Sequence, residues 1–164
     1  MEIVRTVRDL LRKRDVEVWT IGPEDTVYQA LQVMADKNVG ALPVLEGEKL
    51  IGIFSERDYA RKVILHGRSS KELLVKEIMS SRVAYVRPNQ TIDDCMALMT
   101  NLKIRHLPVL EGAKLVGMIS MRDVVEDIIS EQDFIIEQLV NYIQNERSPV
   151  PPPTPSNEGC VCLG

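Results

Sequence analysis

The sequence predicts a mixed α/β (α+β) protein built from two tandem β-α-β-β-α units, on two observations. Leu42–Asp58 reads LPVLEGEKLIGIFSERD and returns as Leu107–Asp123, LPVLEGAKLVGMISMRD, displaced by 65 residues without a gap and identical at twelve of seventeen positions. A repeat this close implies two copies of one folding unit. The four prolines outside the tail also pair at that offset, Pro23 with Pro88 and Pro43 with Pro108, which sets the register independently of the apolar pattern.

The elements follow in order. Residues 7–14 are amphipathic and predict a short lead-in helix. Val75–Met79 echoes Val7–Leu11 just before the second unit, so each unit is expected to have its own lead-in. Val16–Thr20 alternates and predicts a strand. Gly22-Pro23 is a turn. Asp25 or Thr26 can cap a helix to about Asn38, with Val27, Ala30, Leu31, Val33 and Met34 on one face. Gly40 ends that region. Strands are expected over 41–45 and 49–54, joined by a turn in which Gly47 supplies positive φ. Ser55 opens a helix to about Leu65. The second unit repeats the order: strand 83–86, helix 91–102, strands 106–110 and 114–119, and a helix from 120 onward. That last helix continues through 131–145 with more apolar surface than one repeat uses, and is expected to pack on the lead-in segment or on a partner chain.

The domain reading is repeat 1 over 7–66, a polar linker at 67–72, repeat 2 over 73–130, a C-terminal helix at 131–146, and a Pro-rich tail at 147–164 without core residues. A unit of roughly 60 residues is marginal alone, so the two copies should share a core. Apolar content of 45% supports one, and two Phe, one Trp and four Tyr make it aliphatic. Met34, Met79, Met96, Met99 and Met118 read as core filling. The net charge of −4 argues against a nucleic-acid footprint, which needs a basic face. No apolar run approaches a membrane span, and the N-terminus lacks a signal peptide's apolar stretch, so a cytoplasmic location is expected. Cys95 reads as a small buried residue, while Cys160 and Cys162 have no metal or disulfide spacing.

No nucleophile with a base and an orienter is evident, and no phosphate loop, dinucleotide fingerprint or metal-ligand spacing. The expectation is a binding module, not an enzyme, with no catalytic or metal residues. The informative motif is Ser55-x-x-Asp58 and Ser120-x-x-Asp123, each preceded by a glycine, Gly52 or Gly117, three residues earlier. Read plainly it is a helix cap. Read functionally, a strand running through glycine into a helix N-terminus offers N–H groups to an anion, and the aspartate can accept two hydrogen bonds from vicinal hydroxyls. Together these suggest a ribose phosphate.

With those residues in hand, the repeat resembles the CBS domain, and the chain resembles a stand-alone CBS pair, or Bateman module. The likeness rests on Leu-Pro-Val at 42–44 and 107–109, on Gly52–Asp58 and Gly117–Asp123, on Thr26 and Thr91 at the helix starts, and on Val75–Met79. It implies two repeats packed about a pseudo-twofold axis, sheets back to back with helices outside, and two clefts between them. Such clefts take AMP, ADP or ATP, or NAD or S-adenosylmethionine. Modules of this family often form homodimers and regulate a partner. Carried onto this sequence, cleft one would place Thr20, Val39, Gly40 and Ala41 at the base, with Arg105, His106, Met118, Ser120, Arg122 and Asp123 around ribose and phosphate. Cleft two would use Tyr85, Ile104, Arg105 and His106 at the base wall and Ser55, Arg57 and Asp58 at the ribose. Its phosphate end, lined by Gly40 and Ala41, would carry no charge, whereas Arg105 and His106 would supply it in cleft one. Cleft two is therefore expected to be the weaker. The function implied is a regulatory adenine-nucleotide sensor acting in trans. The alternative is a ligand-independent dimeric scaffold that recruits a protein partner through the C-terminal helix and tail.

Overall fold

The computed structural model describes residues 5–15 and 17–146. Cys160, Cys162 and the Pro-rich tail lie outside the described residues. The elements are α1 (Val7–Arg14), α2 (Val27–Lys37), β1 (Ala41–Glu46), β2 (Lys49–Ser55), α3 (Glu56–Lys62), α4 (Val75–Ile78), α5 (Ile92–Leu102), β3 (His106–Glu111), β4 (Lys114–Ser120) and α6 (Met121–Glu146). The described residues divide into two units, the first ending at Asp127 and the second beginning at Ile128.

In the first unit, β1–β2 and β3–β4 are two antiparallel hairpins, each bulged at the same place, Val44/Leu45 and Val109/Leu110. Gly47 (φ 64°) and Gly112 (φ 63°) occupy the positive-φ corners of their turns. Helices α2 and α5 start with matching capping boxes, Thr26 with Gln29 and Thr91 with Asp94, so each satisfies its first free N–H groups locally. Asp25 does not cap α2; it accepts the Gly22 N–H at 2.8 Å. Both helices end on a non-glycine left-handed residue, Asn38 and Lys103, each at φ 53°. Gly40 is therefore not the cap of α2. Helix α3 is shorter than expected and gives way to a 3-10 turn at Ile64–His66.

Phe54, Leu42, Val44 and Val63 are fully buried with Val27, Ala30 and Met34 around the first hairpin, and Leu107, Val109, Ile119 and Met99 are their counterparts at the second. Cys95 is fully buried, and burial pushes its thiol up to about 11. It is a core residue without thiolate character.

Two expectations need correction. Residues 17–20 and 83–85 form no strand; only Ile21 and Val86 bridge, in parallel, to Val44 and Val109. The reason is proline. Ile21 N–H donates to the Pro43 carbonyl (3.1 Å), and Ile21 carbonyl accepts from Leu45 N–H (3.0 Å). The next rung would need an N–H at position 43, which proline lacks. Pro108 ends the Val86 pairing in the same way.

The lead-ins are also exchanged. Helix α1 precedes the first repeat but joins the second: Val7 N–H donates to Gln90 carbonyl and Arg8 N–H to Pro88 carbonyl, both at 2.9 Å. Helix α4 joins the first repeat through Val75 N–H to Asp25 carbonyl (2.8 Å) and Val27 N–H to Leu73 carbonyl (2.8 Å). Each repeat thus completes its core with a segment preceding the other.

The first turns of α6, still within the first unit, meet α1 and Arg5, two residues ahead of it, through charge. Asp127, 7% exposed, accepts from Arg5 (3.0 Å) and Lys13 (3.1 Å). In the second unit the described residues are the distal part of α6. There Ile129, Phe134, Ile135, Ile136, Leu139, Val140, Tyr142 and Ile143 are exposed, and among the described residues of this stretch the formal charges are all acidic.

Candidate functional site

The serine of each repeated motif ends a strand and caps the next helix. In the first repeat, Ser55 N–H donates to Asp58 Oδ2 (3.0 Å), and Asp58 N–H donates to Ser55 Oγ (3.2 Å). In the second, the same pair of bonds joins Ser120 and Asp123 at 2.7 and 3.2 Å. Capping therefore engages one carboxylate oxygen of each aspartate and leaves Oδ1 for something else. In the first repeat, Oδ1 meets Lys62 Nζ (3.0 Å) and the Ser80 hydroxyl (3.3 Å). In the second, it meets Arg14 Nη1.

Two clefts open beside these motifs. Cleft one, of about 960 Å³, is walled by Val39, Gly40, Ala41, Arg105, His106, Met118, Ser120, Arg122 and Asp123, nine of the residues expected there. The tenth, Thr20, is exposed and does not line it; Val18 and Trp19 do. Freed from the sheet by Pro43, Trp19 is half-buried, with Lys37 Nζ 3.9 Å from its ring centroid. Cleft two, of about 1140 Å³, contains Ser55, Arg57, Asp58 and Ile104 as expected. Tyr85, the counterpart of Thr20, does not line it; it is exposed, with the Arg87 guanidinium 5.1 Å from its ring centroid. Ala84 takes the Trp19 position in cleft two. The one-residue error is the same in both repeats, and the signal that could have found it was the missing N–H of the motif proline.

The electrostatics differ from expectation as well. Basic residues also line cleft two: Arg57, Arg61, Arg82, Lys103 and Arg105 are on its walls, against Glu56 and Asp58. In cleft one, Arg14, Lys37, Arg105 and Arg122 are balanced by Asp15, Glu17, Asp123 and Glu126. His106 lines both clefts, but burial holds it below its ordinary range, with Asp123 and Glu56 pulling the other way. The ring is therefore neutral near pH 7 and brings no formal charge for a phosphate. A Cβ built on Gly40 would lie 3.4 Å from that ring, so Gly40 is small where the two clefts meet. Arg122 pairs with Glu126 on its own helix (2.8 Å), and Arg57 donates to the Lys103 carbonyl (3.0 Å). Neither guanidinium holds the motif aspartate beside it.

The repeated motif, two hairpins and paired clefts define a tandem-repeat module. The chain belongs to the CBS-domain family, whose model matches residues 6–64 and 75–130. It is 42% identical over 126 residues to the CBS domain-containing protein CBSX3, mitochondrial, of Arabidopsis thaliana, a match covering 74% of this chain and 61% of that protein's length. It is 48% identical to the CBS domain NE2398, whose crystal structure superposes with a TM-score of 0.74 over 77% of this chain and 98% of that one. The CBS domain pair of protein MJ0100, solved with 5′-methylthioadenosine and S-adenosyl-L-methionine, is 20% identical, with a TM-score of 0.68 over 78% of this chain and 98% of that one, and shares the fold. Among the described residues no helix is long and apolar enough to cross a membrane.

Proposed function

We propose that this chain is a non-enzymatic regulatory module that binds an adenine nucleotide of the AMP, ADP or ATP type in cleft one and acts on a protein partner in trans. The observation that carries this reading is the capped Ser120–Asp123 motif facing small Gly40 and Ala41, with Trp19 available to a base and Arg105 and Arg122 to a phosphate. The volume suits a small-molecule site. That the same fold in another CBS pair holds two adenosine compounds is consistent with it. NAD and S-adenosylmethionine carry the same adenosine group and are the other ligands to try. The charge on cleft two supports it as a second site for a more highly phosphorylated ligand, in place of the empty or weaker site expected from the sequence. Ligand bridging the repeats would favour one relative orientation of them and shift what the partner meets.

The test is a thermal-shift and calorimetric screen against AMP, ADP, ATP, NAD and S-adenosylmethionine, with inosine monophosphate as control. A ligand at about 100 times its dissociation constant stabilises the fold by ~2.7 kcal/mol. Asp123→Ala should weaken binding in cleft one by ~1–3 kcal/mol, the scale of a lost hydrogen bond to a charged group. No shift with any ligand, or binding indifferent to both Asp123→Ala and Asp58→Ala, overturns the reading.

One observation favours a second reading, the ligand-independent dimeric scaffold. The exposed apolar residues from Ile129 to Ile143 form a larger patch than single surface hydrophobics need. Light scattering on the full chain, with and without nucleotide, separates the two readings.

A further inference from the structure

Arg14 is absent from every motif that identifies the clefts, yet it holds the Asp123 oxygen on which a ribose would depend. Its two terminal nitrogens divide between two carboxylates: Nη1 donates to Asp123 Oδ1, and Nη2 to Glu126 Oε2 at 2.8 Å. The Arg14 side chain is 32% exposed and that of Asp123 11%, so the pair closes a wall of cleft one rather than a solvated surface. The other Asp123 oxygen is engaged by the Ser120 N–H. A diol can therefore reach Asp123 Oδ1 only by displacing Arg14 or by sharing the oxygen with it.

The counterpart site is built differently. Asp58 Oδ1 meets a lysine of its own helix, Lys62, and the Ser80 hydroxyl. The lead-in beside it, α4, stops at Ile78, whereas α1 runs on to Arg14. The arginine on the motif aspartate is thus a property of cleft one.

Resting on the nucleotide reading above, we infer that Arg14 is the specificity-determining residue of cleft one: it withholds Asp123 from neutral nucleosides and yields it to ligands bearing their own anionic group. A neutral nucleoside that takes Asp123 leaves the guanidinium short of one carboxylate in a partly dehydrated wall, where an unmatched charge is costly. A nucleotide brings a phosphate that can re-pair the released guanidinium, and arginine forks suit phosphate. Because the formal charges on the walls of cleft one balance, selection for the phosphate falls to this exchange more than to a net field.

The experiment titrates adenosine, AMP and 2′-deoxyadenosine into the full chain, read by the fluorescence of Trp19, the only tryptophan in the sequence and a residue of cleft one. Wild type, Arg14→Ala, Arg14→Lys and Asp123→Ala are compared. The expected result is that Arg14→Ala tightens adenosine about tenfold and weakens AMP, collapsing the AMP-to-adenosine preference, with Arg14→Lys intermediate. The gain must require the hydroxyls, so 2′-deoxyadenosine should not share it. If AMP binds wild type and is lost in Asp123→Ala while the preference is unchanged in Arg14→Ala, the inference is overturned and the nucleotide reading stands. If neither wild type nor Arg14→Ala binds any adenine ligand, both fall. Circular dichroism checks each fold, and Arg14→Gln replaces Arg14→Ala should the latter unfold.

Discussion

Leu11 of α1 lies directly on Gly117 of β4: a Cβ added at Gly117 would sit 2.7 Å and 2.8 Å from its two methyl carbons. Met79 stands in the same relation to Gly52 of β2, with its sulfur 2.5 Å from the equivalent position. The two motif glycines are thus contact points for the exchanged lead-ins as well as approaches to the helix caps. Gly52→Ala and Gly117→Ala should each destabilise by ~1–3 kcal/mol, the usual effect of overpacking. Gly52→Ala should be the worse, because behind the flexible Met79 side chain the Ser80 carbonyl lies only 3.2 Å away. Urea denaturation measures both. If Leu11→Ala does not relieve Gly117→Ala in a double-mutant cycle, the packing account fails.

Asp127 ties α1 and Arg5 to the start of α6. Burial alone would raise its carboxyl, but hydrogen bonds from Arg5 and Lys13, together with their charges, hold it below the ordinary value. A depressed carboxylate stabilises the fold above the unfolded-state value and loses that contribution as pH falls through the folded one. The loss should begin below about pH 4 and be absent in Asp127→Asn. At neutral pH that variant should cost ~1–3 kcal/mol, less than a fully buried broken pair because Lys13 is more than half exposed. Denaturation at pH 7 and pH 3.5 reads both effects.

His106 gives a second pH dependence. Burial lowers its value in the folded state, so the unfolded chain takes up the proton first. Stability from this residue is complete above about pH 6.5 and declines as pH falls from there toward the folded value. His106→Gln should flatten the melting temperature between pH 7 and pH 5.5, and an unchanged profile would show that the ring does not titrate as its burial requires.

Trp19 and Thr20 discriminate the geometry of cleft one from the register expected of a strand. Trp19→Ala should weaken adenine nucleotide binding by ~1 kcal/mol, the scale of an aromatic contact, and Thr20→Ala should leave it unchanged. Calorimetry with the bound nucleotide decides, and the reverse order would place the base against the wrong residue.

The distal part of α6 should be tolerant alone and intolerant in an assembly. Ile136→Glu with Ile143→Glu changes exposed positions and should alter the melting temperature of the monomer little, within ~0.5 kcal/mol per site. If this face mediates dimerisation, the double variant should run as a monomer where the wild-type chain runs as a dimer in light scattering.

The sequence by itself determined what is local. Thr26 and Thr91 ahead of an apolar helical period specify the starts of α2 and α5, and Gly47 and Gly112 specify the hairpin turns, because caps and turns depend on residues within a few positions. The repeat also located the two Ser-x-x-Asp motifs, and the family resemblance named nine of the twenty residues that line cleft one. Tertiary structure decided the rest. That α1 crosses to the second repeat depends on long-range hydrogen bonds from Val7 and Arg8 that no local pattern encodes. That Arg14 consequently reaches Asp123, 109 residues away, follows from the crossing. The neutrality of His106 depends on burial, which is a property of the packed interior and not of the strand it begins. The Trp19 register lies between the two: its cause, a proline without an N–H, is written in the sequence, but it acts only once Ile21 and Pro43 have been brought side by side.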